Sequence, residues 1–166
     1  NMSVPFRRIV TGHNDGRSNV LLDDKLDLNP GFASNAVTLW LNHKYPAELA
    51  DYDAAADGGV KISTQGSLIR VVDFPPNSQG HNHRTRTLDY GIVMDGEIEL
   101  ELEDGSKTIV RAGEVVVQQA TMHQWNNKTD KVCRLIFVLF PSKAAKGPDG
   151  EELGDAGVPK KFRVDD

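Results

Sequence analysis

Cysteine is nearly absent from this chain: Cys133 is the one thiol in 166 residues. No intramolecular disulfide can form, so packing and hydrogen bonding must hold the fold. Its neighbours Val132, Leu135 and Ile136 make Cys133 a small buried hydrophobe, with no partner histidine beside it in sequence to activate the sulfur. Long apolar runs are missing too. The longest, Leu135 to Phe140, has strand length and falls far short of the ~20 residues that a membrane-crossing helix needs. Basic excess is also lacking: 19 Lys and Arg stand against 24 Asp and Glu, for a net charge of −5. Arg7-Arg8 and Lys160-Lys161 lie at opposite ends, without a basic stripe interleaved with aromatics, which argues against a phosphate-backbone partner. Met2, preceded by Asn1, reads as the native start, and no charged-then-apolar leader follows it. The expectation is a cytoplasmic protein of one domain, with neither nucleic acid nor membrane as partner.

What is present is period-two alternation. Ile98, Leu100 and Leu102 alternate with Glu97, Glu99, Glu101 and Glu103, which predicts a half-buried strand with a charged, solvated outer face. Asp95-Gly96 and Asp104-Gly105 bracket it as hairpin turns, because glycine accepts the positive φ such turns require. Further strands are expected over Ser67 to Phe74, Lys107 to Arg111, Glu114 to Gln119 and Met122 to Asn127. Val132 to Phe140 is apolar on both faces and predicts a central strand covered on each side. Strands at this spacing, joined by Asx-Gly turns, indicate an all-β sandwich or barrel. Residues 1–66 are less regular, with short strands at Arg8 to Thr11 and Ala36 to Leu41 and a helical turn or two within Pro46 to Ala56, ended by Asp57-Gly58-Gly59. Residues 67–140 hold the core pattern, and residues 141–166 form an arm too short and polar for a core of its own.

Three of the five histidines and one carboxylate carry the chemistry. In an extended segment His81 and His83 share a face, and Asp89, six residues beyond His83, keeps that parity. His123 lies past the Gly113 turn and can meet the others only if the sheet closes on itself. Imidazoles plus a carboxylate are the donors a divalent transition metal takes while keeping a position open for substrate. Each also has a bland reading: edge-strand polarity for the His81/His83 pair, a turn or ion pair for Asp89, a satisfied core histidine for His123. His43 is a loop residue, able to act as acid or base if its loop covers the site.

The stretch from Gly80 to Asn127 resembles the cupin superfamily. Its first motif, Gly, His-x-His, Glu, Gly, is matched by His81, His83, Asp89 and Gly96, with six residues between Asp89 and Gly96 as in the family. Its second, Gly, Pro, Gly, His, Asn, is matched by Gly113, Gln118, Ala120, His123 and Asn127, with three residues between His123 and Asn127. The runs Arg7 to His13 and Arg70 to Pro76 resemble a branch of small microbial and fungal single-domain cupins. Asp89 stands where glutamate is usual, one methylene shorter; Gln118 and Ala120 replace Pro and Gly; and in that branch the position of His81 is often not histidine.

The resemblance implies a jelly-roll barrel (double-stranded β-helix) with an irregular N-terminal extension and a short C-terminal arm, commonly a homodimer. It implies one divalent metal ion (Fe, Mn, Zn or Ni) on His81, His83, Asp89 and His123, the last three being catalytic. Trp40, Tyr90, Gln118 and Trp125 are candidate walls for a small-molecule substrate. Since one barrel hosts many chemistries, the reaction must come from the site. A metal-dependent lyase, decarboxylating or dehydrating a small enolisable acid or polyketide-like metabolite, is the leading expectation, with the metal stabilising an enolate. An Fe(II) dioxygenase acting on a small aromatic or organic acid and a metal-free binding barrel are the alternatives.

Overall fold

The computed structural model describes residues 3–31, 33–57 and 65–164. An N-terminal ribbon pairs β1 (Phe6–Asn14) with β2 (Arg17–Leu26). β3 (Asn29–Pro30) and β4 (Asn35–Asn42) follow, then one 3-10 turn at Ala54–Asp57. The barrel strands are β5 (Ser67–Phe74), β6 (Ser78–Gln79), β7 (Thr87–Asp95), β8 (Glu97–Leu102), β9 (Lys107–Arg111), β10 (Val115–Gln119), β11 (His123–Asn127) and β12 (Cys133–Pro141). A small ribbon, β13 (Ala145–Lys146) with β14 (Glu152–Leu153), and a 3-10 turn at Lys160–Phe162 complete the arm.

Two antiparallel sheets face each other, one in the order β10-β7-β12-β5-β4-β3 and the other β6-β11-β8-β9. As expected from its two apolar faces, β12 lies inside the larger sheet, between β5 and β7. The β7–β8 hairpin turns at Gly96, whose φ of +83 needs a residue without a Cβ. One end of the interior is hydrocarbon: Val72, Phe74, Val93, Ile98, Leu100, Val110, Trp125, Cys133, Leu135 and Phe137 form one cluster. A second, smaller cluster joins Leu41, Leu68 and Val164, and Leu139 packs against both. Each fully buried Leu, Ile or Phe in such a cluster contributes about 2–3 kcal/mol, so these two clusters outweigh any single polar contact.

The arm docks on the barrel. Ala156 bridges Arg84, Val158 is buried, and Val164 seals the smaller cluster. The helical structure expected within Pro46 to Ala56 is limited to the turn at Ala54–Asp57, and Gly58 and Gly59 lie outside the described residues. No described helix is long and apolar enough to cross a membrane.

Candidate functional site

The site is built where the connection from β6 to β7 crosses the start of β11. Gly80 opens that connection: a Cβ there would fall 2.1 Å from the Trp125 carbonyl oxygen, so only glycine lets the two backbones come so close. His83 then pairs with His123, their backbone N–H groups donating to each other's carbonyls at 3.1 and 3.0 Å. Residues directly opposite in an antiparallel pair project to the same side. The two rings accordingly stand 4.4 Å apart between centroids, tilted by 59°.

Both rings are oriented by the backbone. Nδ1 of His83 lies 2.8 Å from the His81 carbonyl oxygen, and Nδ1 of His123 lies 2.8 Å from that of Thr121. A carbonyl only accepts, so each Nδ1 carries the hydrogen and each neutral ring keeps its lone pair on Nε2. Burial disfavours the imidazolium: it lowers the pKa of His83, with the charges of His81 and Arg70 adding to the effect. His123, 3% exposed, is pushed down to about 4, by burial first and by His83 second. At neutral pH this is a pair of neutral, σ-donating imidazoles.

Asp89 and Gln118 face each other across β7 and β10, both pointing inward, and Gln118 Nε2 donates to Asp89 Oδ2 at 2.7 Å. Asp89 is 5% exposed, and burial raises its pKa against the opposing pull of Thr87, Gln118 and Arg70. Asp89 Oδ1 and Gln118 Oε1 are buried and have no hydrogen-bond partner among the described residues. Trp125, two residues beyond His123 and on the same face, packs edge-on against Phe137 at 5.8 Å. Its Nε1 is likewise buried and unpartnered. Gln118 and Trp125 therefore sit inside the barrel.

Trp40 and Tyr90 do not, and the expectation that they wall the pocket is corrected. Trp40 pairs with Ile69, Ile69 with Val138, Val138 with Tyr90 and Tyr90 with Val117, a row on the outer face of the larger sheet. Tyr90 and Val117 are both exposed there. A register shift between Thr38 and Trp40 turns Trp40 outward, and Tyr90 must face out because its neighbour Asp89 faces in. His43 sits on an exposed loop after β4.

His81 stacks on His83 at 5.6 Å between centroids, and its Nε2 is engaged by the Gly157 carbonyl of the C-terminal arm. Among the described residues no three His, Cys, Asp or Glu side chains gather closely enough to hold a metal ion. The donor chemistry of His83 and His123 fits two positions of a divalent ion; His81 and Asp89, as placed, do not complete the set.

One interior residue was not singled out in the sequence. Arg70 lies on β5 between Leu68 and Val72 in the inward parity, opposite Thr38 and Phe137. Burial lowers its pKa, and the influence that opposes this is the charge of Asp89. Among the described residues its guanidinium forms no hydrogen bond and no ion pair. The signal was available: it is the charged member of an inward series Leu68, Arg70, Val72, Phe74. Two surface cavities, of about 240 and 550 Å³, lie elsewhere, the first beside Asn82 and Gln124 and the second beside Arg86 and Arg163.

Comparison with known proteins agrees with this architecture. Residues 70–139 match the family model described as Cupin domain. A cupin-domain-containing oxidoreductase of Hypocrea virens, virC, is 32% identical over 148 residues, covering 82% of this chain and 76% of the relative. Phomopsin biosynthesis cluster protein D of Diaporthe leptostromiformis is 41% identical over 90 residues, or 54% of this chain. The matched stretch spans about half, 47%, of that relative's length. Among solved structures, a cupin 2 conserved barrel domain protein from Salinispora arenicola superposes with a TM-score of 0.50 at 20% identity, covering 69% of this chain and 81% of that one.

Proposed function

This chain belongs to the cupin family, and on that premise we propose that its barrel is that of a lyase, a decarboxylase or dehydratase acting on a small enolisable acid or polyketide-like metabolite. The observation that carries the reading is the facing pair His83 and His123, with both Nε2 lone pairs available and both rings neutral. These two would hold a divalent ion (Fe, Mn, Zn or Ni), which when bound supplies Lewis-acid stabilisation of a developing enolate. The rest falls to the chain itself. Burial favours the protonated form of Asp89, which suits it to hold a proton for the carbanion carbon. Gln118 fixes the orientation of that carboxyl through Oδ2. Trp125, resting on Phe137, bounds the polar layer on its hydrocarbon side and keeps water from entering there.

A second reading is an oxidoreductase, the word in the name of the Hypocrea virens relative, with an Fe(II) dioxygenase acting on a small aromatic or organic acid as its oxygen-dependent form. The experiment loads the purified chain with Fe(II), Mn(II), Zn(II) or Ni(II), measures bound metal by elemental analysis, and assays a panel of β-keto and β-hydroxy acids with and without oxygen. About one equivalent of metal, lost in His83→Ala and His123→Ala, and turnover that survives strict anaerobiosis are expected. Turnover that stops without oxygen and consumes it in proportion to product establishes the oxidoreductase instead. Absence of metal and turnover, with ligand still bound, would leave a binding barrel.

A further inference from the structure

A guanidinium is too basic to shed its proton even where burial works against it, so Arg70 keeps its charge inside the barrel. Arg70 is half-buried on the inward side of β5. Among the described residues no carboxylate or carbonyl oxygen bonds to it, so its fork of donors is open to whatever enters the barrel. The nearby acid, Asp89, already accepts from Gln118. Within the same interior Asp89 Oδ1 and Gln118 Oε1 lack donors, and Trp125 Nε1 lacks an acceptor. A buried polar group without a partner costs about 1–3 kcal/mol, and folded proteins carry few of them. Arg70 and Asp89 lie in adjoining inward rows of the larger sheet, Arg70–Phe137–Gly91 and Leu68–Leu139–Asp89, where the large hydrocarbon cluster meets the small one.

We propose that Arg70 is the anchor for the carboxylate of a small hydroxy- or keto-acid bound within the barrel. The ligand class follows from what is missing. The planar fork of the guanidinium pairs two N–H donors with the two oxygens of a carboxylate. A hydroxyl or enol on the neighbouring carbon then supplies the proton that Gln118 Oε1 lacks. A neutral ligand of the same shape would leave the cation uncompensated. The inference rests on the reading of the barrel interior as a substrate site, but it assigns a residue and a ligand charge that the histidine pair does not.

The test is calorimetric binding of glycolate and malonate, against glycolamide and malonamide, to chelator-treated protein and again after Zn(II) loading. With the wild-type chain the acids should bind without metal, and the amides at least about tenfold more weakly. Arg70→Met should lose glycolate affinity by about thirtyfold or more, and Arg70→Lys, a point charge without the fork, by an intermediate factor. Thermal melts run alongside, because an arginine held for structural reasons would lower the melting temperature on removal while leaving glycolate affinity alone. That outcome overturns the proposal, as does equal binding of acid and amide, or acid binding that needs Zn(II) and ignores the change at Arg70. If Arg70→Met does not fold, Arg70→Lys decides by the same ratio. Acid binding without turnover keeps the anchor and removes the lyase; turnover with glycolate affinity indifferent to Arg70 does the reverse.

Discussion

Arg8 and Arg70 both stand on β-strands, Arg8 buried and Arg70 half-buried, and the protein treats them in opposite ways. Arg8 spends every donor. Its Nε and Nη2 donate to Asp24 at 3.0 and 2.6 Å, its Nη1 and Nη2 to Asp53 at 2.8 and 3.0 Å, and Nη1 also to the Leu39 carbonyl at 3.0 Å. These bonds raise its pKa, whereas burial without such bonds lowers that of Arg70. Arg8 thereby ties the N-terminal ribbon to β4 and to the segment before the 3-10 turn. Arg70 ties nothing to anything. The difference separates a cation that holds the fold from one that is available to a ligand, and it can be tested from both sides.

The largest effect is expected at Arg8. Arg8→Met would strand two carboxylates, Asp24 and Asp53, that are only 36% and 34% exposed. Breaking a buried ion pair by removing one partner costs 3–5 kcal/mol, and the solvent reaching these acids puts the expected loss at about 3 kcal/mol. Urea unfolding of the variant measures it. A loss under about 1 kcal/mol would mean that the network does not fasten the ribbon.

Next comes pH, acting on the metal-free protein through the histidine pair. The folded pKa of His123 lies at about 4, below its ordinary 6.5, so between those values the unfolded chain binds a proton that the folded one refuses. Stability is therefore full above pH 6.5 and falls as pH drops toward 4, by about 3 kcal/mol. His83 pulls in the same direction. Asp89 opposes them: its folded pKa is raised, so its contribution is complete below the unfolded value near 3.8 and fades as pH rises through the folded one. Urea titrations at several pH values should show the decline, and His123→Asn should flatten it. A flat wild-type profile would mean that the imidazoles are not buried as a neutral pair.

How much of this was legible depends on whether a feature is local. Strands β5 and β8 to β12 follow from period-two alternation and from Asx-Gly turns, because half-buried strands and positive-φ corners leave their mark in consecutive residues. The meeting of His83 with His123 follows from parity plus closure of the sheet. Strand β2 was missed since Arg17–Leu26 is largely uncovered by other elements and so lacks an apolar alternation, although Asp15-Gly16, both at positive φ, carried the hairpin signal. Trp40 was misplaced by a register shift that no sequence pattern reports. Tyr90 is different: parity already forbade it from sharing a face with Asp89. Arg70 was readable by the same parity, hidden only by the apolar run around it. The hold of Gly157 on His81 joins residues far apart in sequence, and nothing local announces it.

That hold supplies a smaller effect. Gly157 has φ +69, and a Cβ on it would lie 2.6 Å from the Asn82 carbonyl oxygen. Gly157→Ala should cost about 1–2 kcal/mol and loosen the arm from the His81–His83 segment. Amide exchange at Arg84 and Ala156, whose backbones bond to each other at 2.8 and 2.9 Å, should accelerate, with exchange in β12 unchanged. Equal protection in variant and wild type would show that the arm does not depend on this close approach.

The smallest expected change in stability, and the one that completes the contrast with Arg8, is at Arg70. Removing a half-buried cation that bonds to no described residue breaks no bond and relieves the part of its desolvation that remaining solvent contact does not offset. Methionine of similar length fills the space beside Phe137 with apolar surface. Against this, Asp89 loses the neighbouring charge that opposes its protonation, and its carboxyl holds a proton more firmly. A neutral carboxyl in that position needs no cation, so the second effect does not cancel the first. Arg70→Met should therefore unfold at the same urea concentration as the wild type or a slightly higher one, within about 1 kcal/mol. The sign is what matters. A loss comparable to that at Arg8 would mean that Arg70 is held by contacts with the body of the protein, and the two arginines would then be doing the same job.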